Sequence, residues 1–272
     1  MGRLNTLTLE GATWNRTSSM NLARKVRKLG VEFFIAASSL VCSSGLAFCL
    51  FLANGTLSHA QAPTLTANFV GWTAGDAGAA TFDTTRFGHP VPSGHVIVVL
   101  AHWNDQTVSA SVSDSRGNKY LPLSEPLNAG PTDRIQAWYA KNLRAGTDLS
   151  VTIHFSQKTR SFSVVDAIEL AGLDQAEPLI QSRAATGNGT NQNSGSLTLN
   201  SVSNCLMIGL FGYSKYALPY KAGEGFLMNA YEASTMVEQA PCSAIAGHAA
   251  TATSSSAADW VAIAAAFRTA VP

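Results

Sequence analysis

Charge is what this sequence lacks most. Only 13% of its 272 residues are Asp, Glu, Lys or Arg, about half the usual share in a soluble domain. The surface must be made polar by Ser, Thr, Asn and Gly instead, which fits a turn-rich β-protein better than a helical enzyme. Catalytic signatures are also missing. The chain has no Gly-x-Ser-x-Gly elbow, no His-Glu-x-x-His, no phosphate-binding glycine loop and no cysteine pair at zinc spacing. Nor is there a basic stripe after the first 62 residues. That remainder holds twelve Lys/Arg against fifteen Asp/Glu, a net of −3. Nucleic-acid binding needs clustered cations to displace phosphate counterions, so no nucleic-acid partner is expected.

Residues 1–62 carry the opposite balance, six Lys/Arg against two Glu. Arg24, Lys25, Arg27 and Lys28 form a basic run, an apolar stretch spans Phe33–Ala53, and Ala60-Gln61-Ala62 supplies small residues for cleavage. This order is that of a secretory signal. The 21-residue apolar stretch is also long enough to span a bilayer. The leader is therefore expected to be a cleaved signal peptide or an N-terminal membrane anchor helix, with Met1 or Met20 as the start. The protein is expected to be secreted or on the cell surface, touching a membrane only through an uncleaved leader. Two of the four cysteines, Cys205 and Cys242, lie beyond the leader. In an oxidising compartment they are a disulfide candidate, two buried thiols being the alternative.

Beyond residue 62, strand signals recur between turn residues. Leu65–Trp72 and Ala79–Thr85 come first. His95–Trp103 is a continuous apolar run, as in a strand covered on both faces. Thr107–Ser113 alternates, Asp114–Asn118 reads as a hairpin turn, and Lys119–Leu123 as its return strand. Arg134–Ala140, Leu149–Ser156 and Phe162–Leu170 follow. Residues 184–196, rich in Gly, Asn, Ser and Thr, predict a flexible loop. Ser196–Leu199, Cys205–Tyr213, Phe226–Ala230, Thr235–Gln239 and His248–Thr253 are further strands. In Trp260–Arg268 the alanines favour helix, but alternation of Val261, Ile263, Ala265 and Phe267 predicts a strand. The expected fold is all-β: a single antiparallel β-sandwich over residues 63–272, jelly-roll-like.

Several pieces in order resemble a large group of bacterial and phage surface β-sandwich modules. They are Ala101-His102-Trp103, Val112–Tyr120, Ala137–Asn142, Val151–Ser156, Ile168–Leu173, Ala222–Phe226 and Ala257–Val261, with Ala262–Arg268 closing the chain. The resemblance covers nearly all of residues 65–268. It implies a secreted or surface lectin-like module and no catalytic residues. Asp166 departs from it, standing where such modules carry an apolar residue. The Tyr213–Tyr220 loop is also richer in aromatics.

Candidate sites follow from residue chemistry. Tyr213, Tyr216 and Tyr220, with Lys215, offer rings for stacking on sugars, or else fold back over the sheet edge. Trp103 and His102 end a strand and are secondary binding candidates. The other histidines after the leader, His89, His95, His154 and His248, are scattered singly. Asp166 and Glu169 would suit glycoside hydrolysis, but three residues along a strand they face opposite ways. No cofactor is expected, except that Asp114 and Asn118 are oxygen donors suited to calcium or to a plain turn. The leading expectation is a non-catalytic module binding carbohydrate or another extracellular polymer. The alternatives are a structural assembly unit and a jelly-roll polysaccharide hydrolase.

Overall fold

The computed structural model of the chain describes residues 64–73, 81–83, 87–199, 204–216, 219–232 and 234–270. The leader lies outside the described residues. Among the described residues, fifteen strands and two single 3₁₀ turns make up the regular structure. In chain order the first nine strands are β1 (Thr64–Thr73), β2 (Thr81–Asp83), β3 (Val96–Trp103), β4 (Ala110–Asp114), β5 (Leu121–Pro122), β6 (Leu127–Ala129), β7 (Asp133–Ala140), β8 (Val151–Phe155) and β9 (Ser163–Ala171). The last six are β10 (Leu179–Asn193), β11 (Cys205–Tyr213), β12 (Tyr220–Ala222), β13 (Leu227–Glu232), β14 (Thr235–Pro241) and β15 (Thr251–Arg268).

They form three antiparallel sheets, and the chain is all-β among the described residues. One six-stranded sheet runs β1-β9-β3-β7-β5, with β6 also on β7. A second runs β10-β15-β11-β14-β13, with β12 also on β15. A third holds β2-β8-β4. Strand periodicity assigns the cores. Val96, Val98 and Leu100 of β3 face one way, together with Ile135, Ala137 and Tyr139 of β7. They meet Ile208, Leu210, Val237 and Ile263 of the second sheet in one apolar cluster. The opposite residues of β3, Ile97, Val99, Ala101 and Trp103, meet Val151, Ile153 and Phe155 of β8 in another. β3 is thus covered on both faces and wholly buried, as its unbroken apolar run predicts. A third cluster lies on the far face of the second sheet.

Several expectations change. Residues 184–196 are not a loop. Most of them belong to β10, paired with β15 from Leu179↔Phe267 to Asn193↔Thr251. Glycine there answers a close approach, because a Cβ on Gly187 would collide with the Trp260 ring opposite it. Ser196–Leu199 is not a strand: it crosses the outer face, Leu197 entering the third core. Asp114–Asn118 does turn, with Gly117 at φ 68°, but it closes no hairpin. β4 ends in the three-stranded sheet, while β5 pairs with β7 in the first. His248 belongs to a 3₁₀ turn (Ala246–His248), and β15 begins only at Thr251. Trp260–Arg268 is strand, as alternation predicts. For Ala79–Thr85 the structure describes only Thr81–Asp83, which is strand.

Candidate functional site

The tyrosine loop divides on inspection. Tyr213 ends β11 facing outward but is wholly buried, which overturns its place among exposed binding rings. Its ring lies parallel to that of Tyr220, centroids 3.9 Å apart at 19°. Burial drives the Tyr213 phenol far above its ordinary pKa, so it stays neutral. Tyr220 is half-buried and donates weakly to Lys215 O at 3.4 Å. Only Tyr216, 62% exposed, stands clear of the sheet. Lys215 Nζ donates to Ala257 O.

Next to this loop lies a groove of about 770 Å³, a usual size for a small-ligand site. Its floor is a cross-strand ladder. Asn191 of β10, Thr253 of β15 and Lys221 of β12 lie directly opposite one another. All three are exposed, as residues on one face of adjacent strands must be when that face is open. Asn193 and Thr251 form the next rung. Phe226 and Met228 line the groove with apolar surface, and Glu224 adds a carboxylate.

Beneath the floor lies Glu238, which sequence reasoning missed. It projects from β14 onto the outer face, fully buried. The Gly223 N–H donates to its Oε2 at 2.9 Å, and the Thr251 N–H bonds to the same carboxyl. Both donors belong to groove residues. Gly209, opposite Glu238, makes the niche: a Cβ there would sit 2.6 Å from Glu238 Oε1. Burial pushes the carboxyl up to about 7, against the opposing pull of the two N–H groups.

His102, a binding candidate in the sequence, is closed to any ligand. It is fully buried, and so are Asp133 and Ser234. Its Nε2–H donates to Asp133 Oδ1 at 2.9 Å, and its Nδ1 takes the Ser234 hydroxyl at 2.7 Å. Serine, imidazole and carboxylate in this order can activate a hydroxyl for nucleophilic attack. Here the hydroxyl meets no solvent, Ser234 being 1% exposed. The chain of bonds instead ties the β13–β14 turn of the second sheet to β3 and β7 of the first. Trp103 is equally closed, its Nε1–H donating to Val108 O at 3.1 Å.

The acid pair separates as strand geometry requires. Neighbours of Glu169 on its face, Val165 and Ala167, belong to the second core, and neighbours of Asp166, such as Ile168, to the first. Glu169 is buried and accepts from two imidazoles, His89 Nε2 at 2.6 Å and His95 Nδ1 at 2.5 Å. The two histidines that looked scattered thus fasten the segment before β3 onto β9. His154 is exposed and bonded to Ser113 Oγ at 2.6 Å, as a surface histidine would be.

At Asp114 the turn itself occupies the carboxylate. Oδ1 accepts from the N–H groups of Arg116 and Asn118, at 2.9 and 3.0 Å. Oδ2 accepts from Asn118 Nδ2 and the Tyr120 hydroxyl, at 2.8 and 3.0 Å. Asn118 Oδ1 accepts from the Arg144 N–H at 2.9 Å. Donors, not further oxygens, converge there. Cys205 and Cys242 are disulfide-bonded, with Cα atoms 5.4 Å apart. Among the described residues no helix is long and apolar enough to cross a membrane.

No family model, no curated protein and no solved structure matches the chain. The described residues define an all-β protein with a disulfide and an amphipathic groove.

Proposed function

We propose that residues 1–62 export or anchor the chain, and that residues 63–272 form a non-catalytic, jelly-roll-like β-sandwich binding extracellular carbohydrate or a similar polymer. Strands early in the chain pass back and forth between the first and third sheets, which supports the jelly-roll reading. The groove carries the functional reading. Its Asn191–Thr253–Lys221 ladder offers amide, hydroxyl and ammonium groups in one row, beside the apolar surface of Phe226 and Met228. A sugar needs both, since its hydroxyls want fixed polar partners and its C–H faces want apolar contact. The disulfide supports an oxidising destination.

The test is a glycan array of the purified protein beside an Asn191→Ala/Lys221→Ala double variant and a Tyr216→Ala variant. Hits lost in the double variant support the groove. Hits lost only with Tyr216→Ala move the site to the loop, and no hits at all sink the carbohydrate reading. The assembly alternative draws support from one feature, the position of β10 at the edge of its sheet among the described residues.

A further inference from the structure

A sheet edge exposes a row of unpaired N–H and C=O groups, and proteins usually blunt it with short strands, bulges, proline or charge. Most strand edges here are blunted in this way. β2, β5 and β6 have three residues or fewer. β13, at the other end of the second sheet, is bulged between Met228 and Ala230. β1 is bulged between Leu65 and Ala67.

β10 is different. Among the described residues it is the outermost strand of its sheet, 15 residues long, without proline. β10 is bulged at Leu179/Gln181 and Gly189/Asn191, but between them Gln181–Gly189 pairs regularly with β15 over nine residues, against the seven of Ala67–Thr73 in β1. Its exposure is that of an edge: nearly every residue is partly or fully open, while its neighbour β15 is buried from Trp260 to Phe267. Arg183 is its one charge, and that guanidinium reaches back to Ser196 O at 3.4 Å. The remaining side chains from Gln181 to Gly189 are small or neutral, so nothing in them repels a second strand.

We infer that β10 is an assembly edge, occupied by β10 of a second copy of this chain. An antiparallel strand pair has a two-fold axis perpendicular to the sheet, so an identical strand is a sufficient partner. A register centred on Ala185 sets Gln181 opposite Gly189 and Arg183 opposite Gly187. That register uses the whole unbulged segment and keeps the two guanidiniums apart. The two second sheets become one continuous sheet. The axis also leaves both grooves on the same face, at opposite ends of the joined edge, because Asn191 and Asn193 lie at one end of β10. Two sites held this way engage a repetitive polymer with avidity. The edge pairing itself does not depend on what the groove binds.

Sedimentation velocity on the full chain tests this, in a non-ionic detergent that keeps the apolar 33–53 stretch dispersed. The comparison is a Thr186→Lys/Asn188→Lys double variant, which sets cations on exposed edge positions. The wild type is expected at twice the chain mass in the micromolar range. The double variant is expected at the chain mass, with an unchanged circular dichroism spectrum and melting temperature. A wild type that stays monomeric to 100 µM, or a dimer that survives both lysines, overturns the inference.

Discussion

The two faces of the second sheet are made of alternate residues of the same strands, yet they are covered in different ways. The inner face meets the first sheet. Leu210, Val237, Ile263 and Phe267 fill one apolar core there, and Gly212 lets Ile135 approach closely. The outer face meets loops, two 3₁₀ turns and the short strand β12. Alanine dominates its part of β15, at Ala262, Ala264 and Ala266. Under that thin cover lie the Cys205–Cys242 bridge, the Tyr213–Tyr220 stack and a buried acid. A sheet can be covered by another sheet through side-chain shape alone. Loops carry less apolar area, so the outer face adds a covalent staple and polar ties. It is also the face on which a groove opens.

The largest effect is expected on the inner face. Phe267 is fully buried and meets Tyr139 edge-on, ring centroids 6.0 Å apart. Phe267→Ala should cost about 3–5 kcal/mol in urea unfolding. The outer face should respond to the opposite change. Ala264→Leu puts extra volume under a close cover and should cost about 1–3 kcal/mol. A neutral Ala264→Leu would mean a loose outer cover and would weaken the contrast between the faces.

Next is the staple. Replacing Cys205 and Cys242 by Ser opens a closed loop with a sequence separation of 37. The chain-entropy model gives about 3–4 kcal/mol for a loop of that length. Dithiothreitol should lower the wild-type melting temperature toward that of the variant and leave the variant itself unmoved.

Glu238 gives the outer face a pH dependence. Its carboxyl titrates near 4.5 when unfolded and is raised to about 7 by burial in the fold. A carboxyl raised in this way favours the folded state fully below the unfolded value, and that advantage is lost as pH rises through 7. The difference corresponds to about 3 kcal/mol between pH 4.5 and 8. Urea midpoints should fall across that window, and Glu238→Gln should flatten the fall. An equally steep fall in Glu238→Gln would assign the titration to another group.

The same two faces mark what the sequence made legible. Alternation along Val261, Ile263, Ala265 and Phe267 identified the inner face of β15. The intervening alanines, which made the segment look helical, turn out to be the small residues that the outer cover requires. β10 stayed hidden because an edge strand with two largely open faces needs no apolar period, and its Gly and Asn residues mimic a loop. Ser234 and Asp133 lie 132 and 31 residues from His102. No local pattern announces a contact that only sheet packing and register create. Glu238 carried a faint signal, as an acid inside the apolar strand Thr235–Gln239. For Asp166 and Glu169 strand period alone settles which way each points, and their neighbours fall in opposite cores.

The smallest effects are expected at the outer-face tyrosines. Tyr220 stacks on Tyr213 and carries part of the cover, so Tyr220→Ala should cost about 0.5–1.5 kcal/mol, the worth of an aromatic pair. Tyr216 is 62% exposed and belongs to none of the core clusters, so Tyr216→Ala should stay within about 0.5 kcal/mol of wild type. Thermal melts of the two variants side by side separate a ring that covers the sheet from one that faces solvent. Equal losses in both would mean that Tyr216 also packs on the sheet. The contrast would then end at the groove, with no separate role left for the loop.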